Sequence, residues 1–333
     1  MQFWDWMIIA GSGVLLLVII SIVMYALGKR KGIQLGYAEP MKRKNDEEHI
    51  RQYIEALRPF LPLRMLGDLK IIEREIPPDK LCDQRADVTA TVMCGGHPVT
   101  GSFVTEHSTD EIYDEINKTL NVVFPAIADN HGSLEVVKDG LFRVLFLEEP
   151  ESALRSAILA MDTLKDQSIS FGLTYGLLSV GIVGNQNRMQ IITLSSSAMV
   201  GEMLRAKADE YYANILSTGE YVKQIREFDK KFNSRFLGIL YYKDSDQMDE
   251  IYDIFDGDPV ERRNRKRKTK MLFEKGVRLY TERRFAESRG YFIEVLKADH
   301  EDAAARHYLF LCDTYQKLDS EKAKEVDICL LNL

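Results

Sequence analysis

Hydrophobic and polar positions change rhythm three times along the chain. The first rhythm is an unbroken apolar run. Met7 to Leu27, MIIAGSGVLLLVIISIVMYAL, carries no charged side chain and is long enough to cross a bilayer as one helix. Residues 32–63 follow as a charged connector in which Ile50, Ile54 and Leu57 recur at helical spacing. That stripe fits either a short parallel coiled coil or a solvated helix with one apolar side. Pro59 and Pro62 end it, and Pro77 and Pro78 mark a second break.

The second rhythm, from Ala86 to about Tyr242, alternates strand and helix. VTATVM (88–93) reads as a strand. Ser108-Thr109-Asp110-Glu111 is a capping box, and it opens a helix with Ile112, Ile116, Leu120, Val123 and Ile127 on one face. LEVV (134–137) and LFRVLFL (141–147) flank Asp139-Gly140, a hairpin signal. A second helix spans about Pro150 to Lys165, with Leu154, Ile158 and Met161 inward. FGLTYGLLSVGIV (171–183) and MQIITL (189–194) predict a second hairpin, and a helix follows from about Ser196 to Ala208. NILST (214–218) and FLGILYY (236–242) supply further strands. The order β-α-β-β-α-β predicts an α/β (α+β) ferredoxin-like sheet with helices on one face.

After Pro259 the pattern is helical. A basic run, RRNRKRKTK (262–270), precedes three helices in series. Gly276, Tyr280, Phe285-Ala286, Phe292 and Leu296 fall near tetratricopeptide positions, and Ala304 and Tyr308 begin the next helix. One and a half repeats do not make an independent solenoid, so this piece is expected to pack on the preceding domain or on a partner protein.

Charge and composition narrow the function. Lys29, Arg30 and Lys31 follow the apolar run, while the N-terminal tail has Asp5 and no basic side chain. The positive-inside bias then places the N-terminus outside and the bulk in the cytoplasm. Trp4, Trp6 and Tyr25 sit at the interfacial levels. A cleaved signal peptide would want a basic n-region and a shorter apolar core. The net charge of −7 argues against nucleic acid as a partner. Cys82, Cys94, Cys312 and Cys329 have no metal-type spacing and read as reduced thiols. The six histidines form no H-x-x-x-H pair, which argues against zinc.

The most informative stretch is Gly181 to Leu204, GIVGNQNRMQIITLSSSAMVGEML. Its frame resembles the class III nucleotidyl (adenylate/guanylate) cyclase pattern G-x-x-G-x-x-x-R-M-D-x-T-V-I-x-D-x-V-N-x-A-x-R-L. Gly181, Gly184, Arg188, Met189 and Leu204 match it without a gap. The resemblance extends to LRPFLPLRMLG (57–67), to FPAIADNHGSLEVVKDGLFRVLF (124–146) and, with the helical tail, to DIFDGDP (253–259). It covers roughly residues 57 to 245 and implies the cyclase catalytic-domain fold.

The resemblance also assigns slots. The first metal Asp of the family falls on Cys94, at the end of the first strand, and the second is kept as Asp139. The plainer reading of Asp139 is the turn residue of an Asp-Gly hairpin. Glu135 falls on the base-selecting Lys, where guanylate cyclases use Glu; it reads equally as an outward strand residue. Ser196 falls on the base-selecting Asp, Met199 on the Asn that orients ribose and Met203 on the Arg that neutralises phosphate charge. A thioether donates nothing to a phosphate, and a thiol is a poor ligand for Mg²⁺. Mg²⁺ or Mn²⁺ would enter only with a bound nucleotide. Family sites form at a head-to-tail dimer interface, which implies a homodimer.

These readings divide the chain into an anchor with its basic flank (1–31), a helical connector (32–85), a cyclase homology domain (86–245) and a linker with tetratricopeptide-like helices (246–333). They imply a catalytically inactive cyclase-like signalling or interaction module on a bacterial-type inner membrane. An active cyclase with a divergent site, converting GTP or ATP, is one alternative. A dimeric scaffold that binds no nucleotide is another. The helical tail is expected to dock a protein partner, and Arg262, Arg263, Arg265, Lys266, Arg267 and Lys268 are expected to be solvated and to touch anionic lipid.

Overall fold

The computed structural model describes residues 63–71, 84–164, 169–185, 188–243, 245–318 and 320–332. The apolar run Met7–Leu27, its basic flank and the Ile50/Ile54/Leu57 stripe lie outside the described residues. Among the described residues no helix is long and apolar enough to cross a membrane.

A short helix, α1 (Leu63–Asp68), precedes β1 (Arg85–Gly96), α2 (Gly101–Glu106) and α3 (Thr109–Asp129). The Ser108 capping box is present: its hydroxyl accepts from Glu111 N, and the Glu111 carboxylate accepts from Ser108 N. Next come β2 (Ser133–Lys138), β3 (Leu141–Phe146), α4 (Pro150–Leu164), β4 (Ser170–Asn185), β5 (Arg188–Leu194) and α5 (Ser196–Glu210). The four strands β2-β3-β1-β4 stand side by side in that order. Neighbours within this group are antiparallel, which is the ferredoxin-like arrangement the sequence order implies.

The helices are not confined to one face. The α3 and α4 side chains Val123, Ile127, Leu154 and Met161 pack with Met93, Phe142, Val144 and Phe171 on one side of the sheet. On the other side, Met65 and Leu66 of α1 and Ala198 of α5 pack with Val92, Cys94, Leu145 and Val180. The last seven residues of β1, Ala90–Gly96, are all buried, as expected of a strand covered on both faces. Their mix of Thr, Ala, Cys and Gly conceals that run in the sequence. Helix α5 lies very close to β4: a Cβ on Gly172 would stand 2.1 Å from the Gly201 carbonyl oxygen.

Beyond β4 the sheet continues through β6 (Ile215–Thr218), β8 (Gln247–Ile254), β7 (Ser234–Tyr242) and β9 (Leu331–Asn332), with short helices α6 (Gly219–Lys223) and α7 (Phe228–Lys231) between. Neither β8 nor β9 is foreseen from the sequence. β8 is obscured by Asp253, a fully buried carboxylate in a strand, held by Arg235 Nε at 2.9 Å and Lys266 Nζ at 2.9 Å. β9 is only two residues long and pairs with β7 in parallel.

Three helices, α8 (Val260–Thr281), α9 (Phe285–Ala298) and α10 (Ala303–Tyr315), follow, and then α11 (Ser320–Glu325). They do pack on the preceding domain. Phe273, Val277, Phe292 and Tyr308 share one core with Phe236, Leu237, Leu240 and Ile251 of the sheet. The basic run forms the first half of α8 and is only partly solvated. Lys266 is buried and also pairs with Asp258 at 2.8 Å. Arg265 pairs with Asp299 at 3.0 Å, Arg263 donates to the Asp256 carbonyl, and Arg267 donates to the Asn233 side chain. The cause is the acidic β8–α8 segment beneath it, which supplies Asp253, Asp256 and Asp258. Lys268 is exposed.

Candidate functional site

Strands β2 and β3 and helix α5 converge on one guanidinium. Cys94 stands opposite Arg143 across the β1–β3 ladder. A register shift between Leu134 and Val136 makes Glu135 the extra residue of a bulge in β2, and bulges re-aim side chains. Arg143 Nε donates to Glu135 Oε2 at 2.6 Å and Nη2 donates to Glu135 Oε1 at 2.9 Å. Its Nη1 donates to Glu202 Oε1 of α5 at 2.7 Å. Glu135 is only 5% exposed and Arg143 18%. A bidentate, charge-assisted pair of this kind is among the stronger polar contacts available to a protein.

Cys94 sits within β1 rather than at its end, and it is 3% exposed. Its sulfur lies 3.8 Å from the Ala198 carbonyl, to which the thiol donates. Burial, with Glu202 second, pushes the thiol up to about 12. Asp139 and Gly140 both have positive φ, 53° and 78°, and Lys138 pairs with Leu141. That is a two-residue type I′ turn. Its side chain is 71% exposed with Lys138 Nζ at 3.9 Å. Its carbonyl accepts from Val99 N at 3.0 Å.

The resemblance implies metal carboxylates in the slots of Cys94 and Asp139, and the donors found there do not suit a hard divalent cation. A buried neutral thiol already engaged with a carbonyl is no hard oxygen ligand. Among the described residues no group of three or more His, Cys, Asp and Glu side chains is placed to hold a metal ion.

The remaining slots lie on α5. Ser195 caps the helix, accepting from Ala198 N at 3.3 Å and donating to the Leu177 carbonyl at 2.9 Å. Ser196 is exposed and borders a cavity of about 430 Å³ that Thr174, Thr218, Lys223, Tyr242 and Asp249 also line. Met199 is 55% exposed, while Met203 is half-buried against the core beneath the helical tail. Met203 therefore serves packing, to which a flexible thioether is suited. The structure unites Cys94 and Glu135 around Arg143 and Glu202. Sequence reasoning missed both of these last two. The available signal was Arg143 itself, a lone charge inside the apolar strand LFRVLF.

No family model matches the chain. It is 25% identical over 198 residues to a Dictyostelium discoideum protein named "Adenylate cyclase, terminal-differentiation specific", a match covering 55% of this chain and 9% of that protein. The chain thus spans under a tenth of that relative's length. Among solved structures, a bacterial light-regulated adenylyl cyclase superposes with a TM-score of 0.56 at 18% identity, over 67% of this chain and 68% of that one. A second structure described in the same words gives 0.54 at 16% identity, over 64% of each chain. The mixed α/β fold, its sheet included, matches that of cyclase catalytic domains.

Proposed function

We propose that this chain is a membrane-anchored, catalytically silent relative of the nucleotidyl cyclases that works as a dimerising signalling or interaction module. One observation carries the reading. Three of the six assigned slots hold side chains engaged with their own protein, Cys94 as a buried neutral thiol, Glu135 in a bidentate pair with Arg143 and Met203 in a core, while Asp139, Ser196 and Met199 are exposed. Phosphoryl transfer depends on positioning and charge stabilisation, and these slots offer neither a metal carboxylate nor a phosphate donor. Asp139 alone would not hold two cations.

Membrane anchoring rests on the Met7–Leu27 run and the Lys29-Arg30-Lys31 flank. A dimer through the cyclase-like domain is supported by a patch of exposed apolar side chains, Leu177, Leu194 and Met199, beside Ser195 at the α5 entry. A role for the tail in docking a protein partner rests on its tetratricopeptide-like positions, Gly276, Tyr280, Phe292 and Tyr308 among them.

The test is an assay of the full-length chain in nanodiscs with ATP and GTP, each with Mg²⁺ and with Mn²⁺, beside Asp139→Ala. No cyclic nucleotide above background is expected. Cyclic product that vanishes in Asp139→Ala would overturn the reading. A C-terminal phosphatase fusion, active only when exported, is expected to stay silent in cells.

A further inference from the structure

The Arg143–Glu135 pair does more than fill space. A guanine base offers a carboxylate two parallel N–H donors, and so does one edge of a guanidinium. Arg143 meets Glu135 through such an edge, with both carboxylate oxygens accepting, at 2.6 and 2.9 Å. Its remaining nitrogen is tied to Glu202 on α5, so the guanidinium is fixed from β2, from β3 and from the helix that carries Ser196 and Met199. Glu135 sits at the bulge in β2, and its carboxylate accepts from Arg143.

We propose that Arg143 is a built-in occupant of the base slot. It presents to Glu135 the donor pair a guanine would present, and so keeps the purine of a nucleotide out. The inference rests on the reading of Glu135 as the base-contacting position of a cyclase-like site. It goes beyond loss of catalysis: the slot retains its recognition chemistry and satisfies it from within the chain.

The experiment is calorimetric titration of GTP, ATP and free guanosine into the full-length chain in nanodiscs, for wild type, Arg143→Met and Arg143→Met/Glu135→Gln. Arg143→Met keeps length and apolar bulk while removing the fork. The expected result is a gain in guanosine and GTP affinity of about tenfold or more over wild type, on the scale of one bidentate base contact. ATP should not share the gain, and Glu135→Gln should abolish it. Wild-type guanosine affinity equal to that of Arg143→Met would overturn the proposal, as would a gain that survives Glu135→Gln. Arg143→Lys guards against misfolding: it keeps the charge, cannot fork, and should show a smaller gain of the same sign. If both variants melt with the wild type and bind no more guanosine, the proposal is wrong. Cyclic product from the wild type would instead sink the catalytic reading, so the two failures are separable.

Discussion

Arg235 of β7 and Asp302, the N-cap of α10, form a fully buried bidentate ion pair that fastens the helical tail to the sheet. The same guanidinium donates to Asp253 and lies 3.9 Å over the Phe273 ring. Asp302 Oδ1 also accepts from Ala305 N at 3.0 Å, which closes the first turn of α10. One carboxylate thus satisfies a buried cation and a helix terminus together.

Breaking this pair from one side should be costly. Removing one partner of a buried pair leaves an uncompensated charge, typically at about 3–5 kcal/mol. Arg235→Met and Asp302→Ala should each lower unfolding stability on that scale, and the double variant should lose less than their sum. Burial pushes the Asp302 carboxyl up, but the Arg235 charge and hydrogen bonds outweigh this and hold it below its ordinary 3.8. A depressed carboxyl stabilises fully above that ordinary value, and the contribution is lost as pH falls through the lower folded value. Asp258 opposes it, since burial raises that carboxyl. Urea titrations from pH 7 down to pH 3 should therefore show an acid loss that Asp302→Asn flattens.

How much of this was legible in the sequence follows from the kind of signal each element gives. Ser108 and Glu111 announce α3, and Asp139-Gly140 announces the β2–β3 turn, because caps and turns are local chemistry. The Gly181–Leu204 frame located the β4–β5 hairpin and α5. The cover on the second sheet face was not legible, since Gly172 against Gly201 is a contact between distant positions. Strand β8 was hidden because Asp253 becomes acceptable inside a sheet only once Arg235 and Lys266 reach it. Likewise Glu135 and Arg143, eight positions apart, become one feature only after the hairpin and its bulge bring them together.

The Gly172–Gly201 approach yields a steric prediction. A methyl on Gly172 would meet the Gly201 carbonyl oxygen at 2.1 Å and Arg205 N at 2.8 Å, both backbone atoms that cannot swing away. Gly201→Ala would meet the Cys94 sulfur at 3.1 Å, a milder clash. Overpacking of this kind costs about 1–3 kcal/mol or more. Gly172→Ala should be the more destabilising of the two in chemical denaturation. A midpoint for Gly172→Ala at or above wild type would show that α5 does not rest on β4 as described.

Cys94 should be inert while the protein is folded. Thiolate is the reactive form, and burial pushes this thiol up to about 12, far above a labelling pH of 8. Pulse alkylation followed by peptide mass spectrometry should leave Cys94 unmodified in buffer and modify it in denaturant. Half-buried Cys329 should label faster than Cys94 in buffer. Rapid native labelling of Cys94 would mean that α5 opens from β1, and would reopen the question of a ligand in that slot.

The last prediction concerns the apolar patch at the α5 entry. Leu177 and Leu194 are each about two-thirds exposed, at 65% and 64%, and Met199 lies one turn into the helix. Ser195 ties the patch together: its hydroxyl donates to the Leu177 carbonyl, and its own carbonyl accepts from Met199 N. Scattered exposed apolar residues need no explanation, but a group drawn together around one serine is where a partner surface is sought. If that partner is a second copy, Leu194→Asp should disperse the dimer of the full-length chain in detergent. The charge sits on an exposed position, so the melting temperature of the monomeric unit should change little. Sedimentation at tens of micromolar, the range of a weak transient interface, would read the outcome directly. A dimer unaffected by Leu194→Asp and by Leu177→Asp would move the interface elsewhere, and the residues outside the described region, including the Ile50/Ile54/Leu57 stripe, would be the next place to substitute.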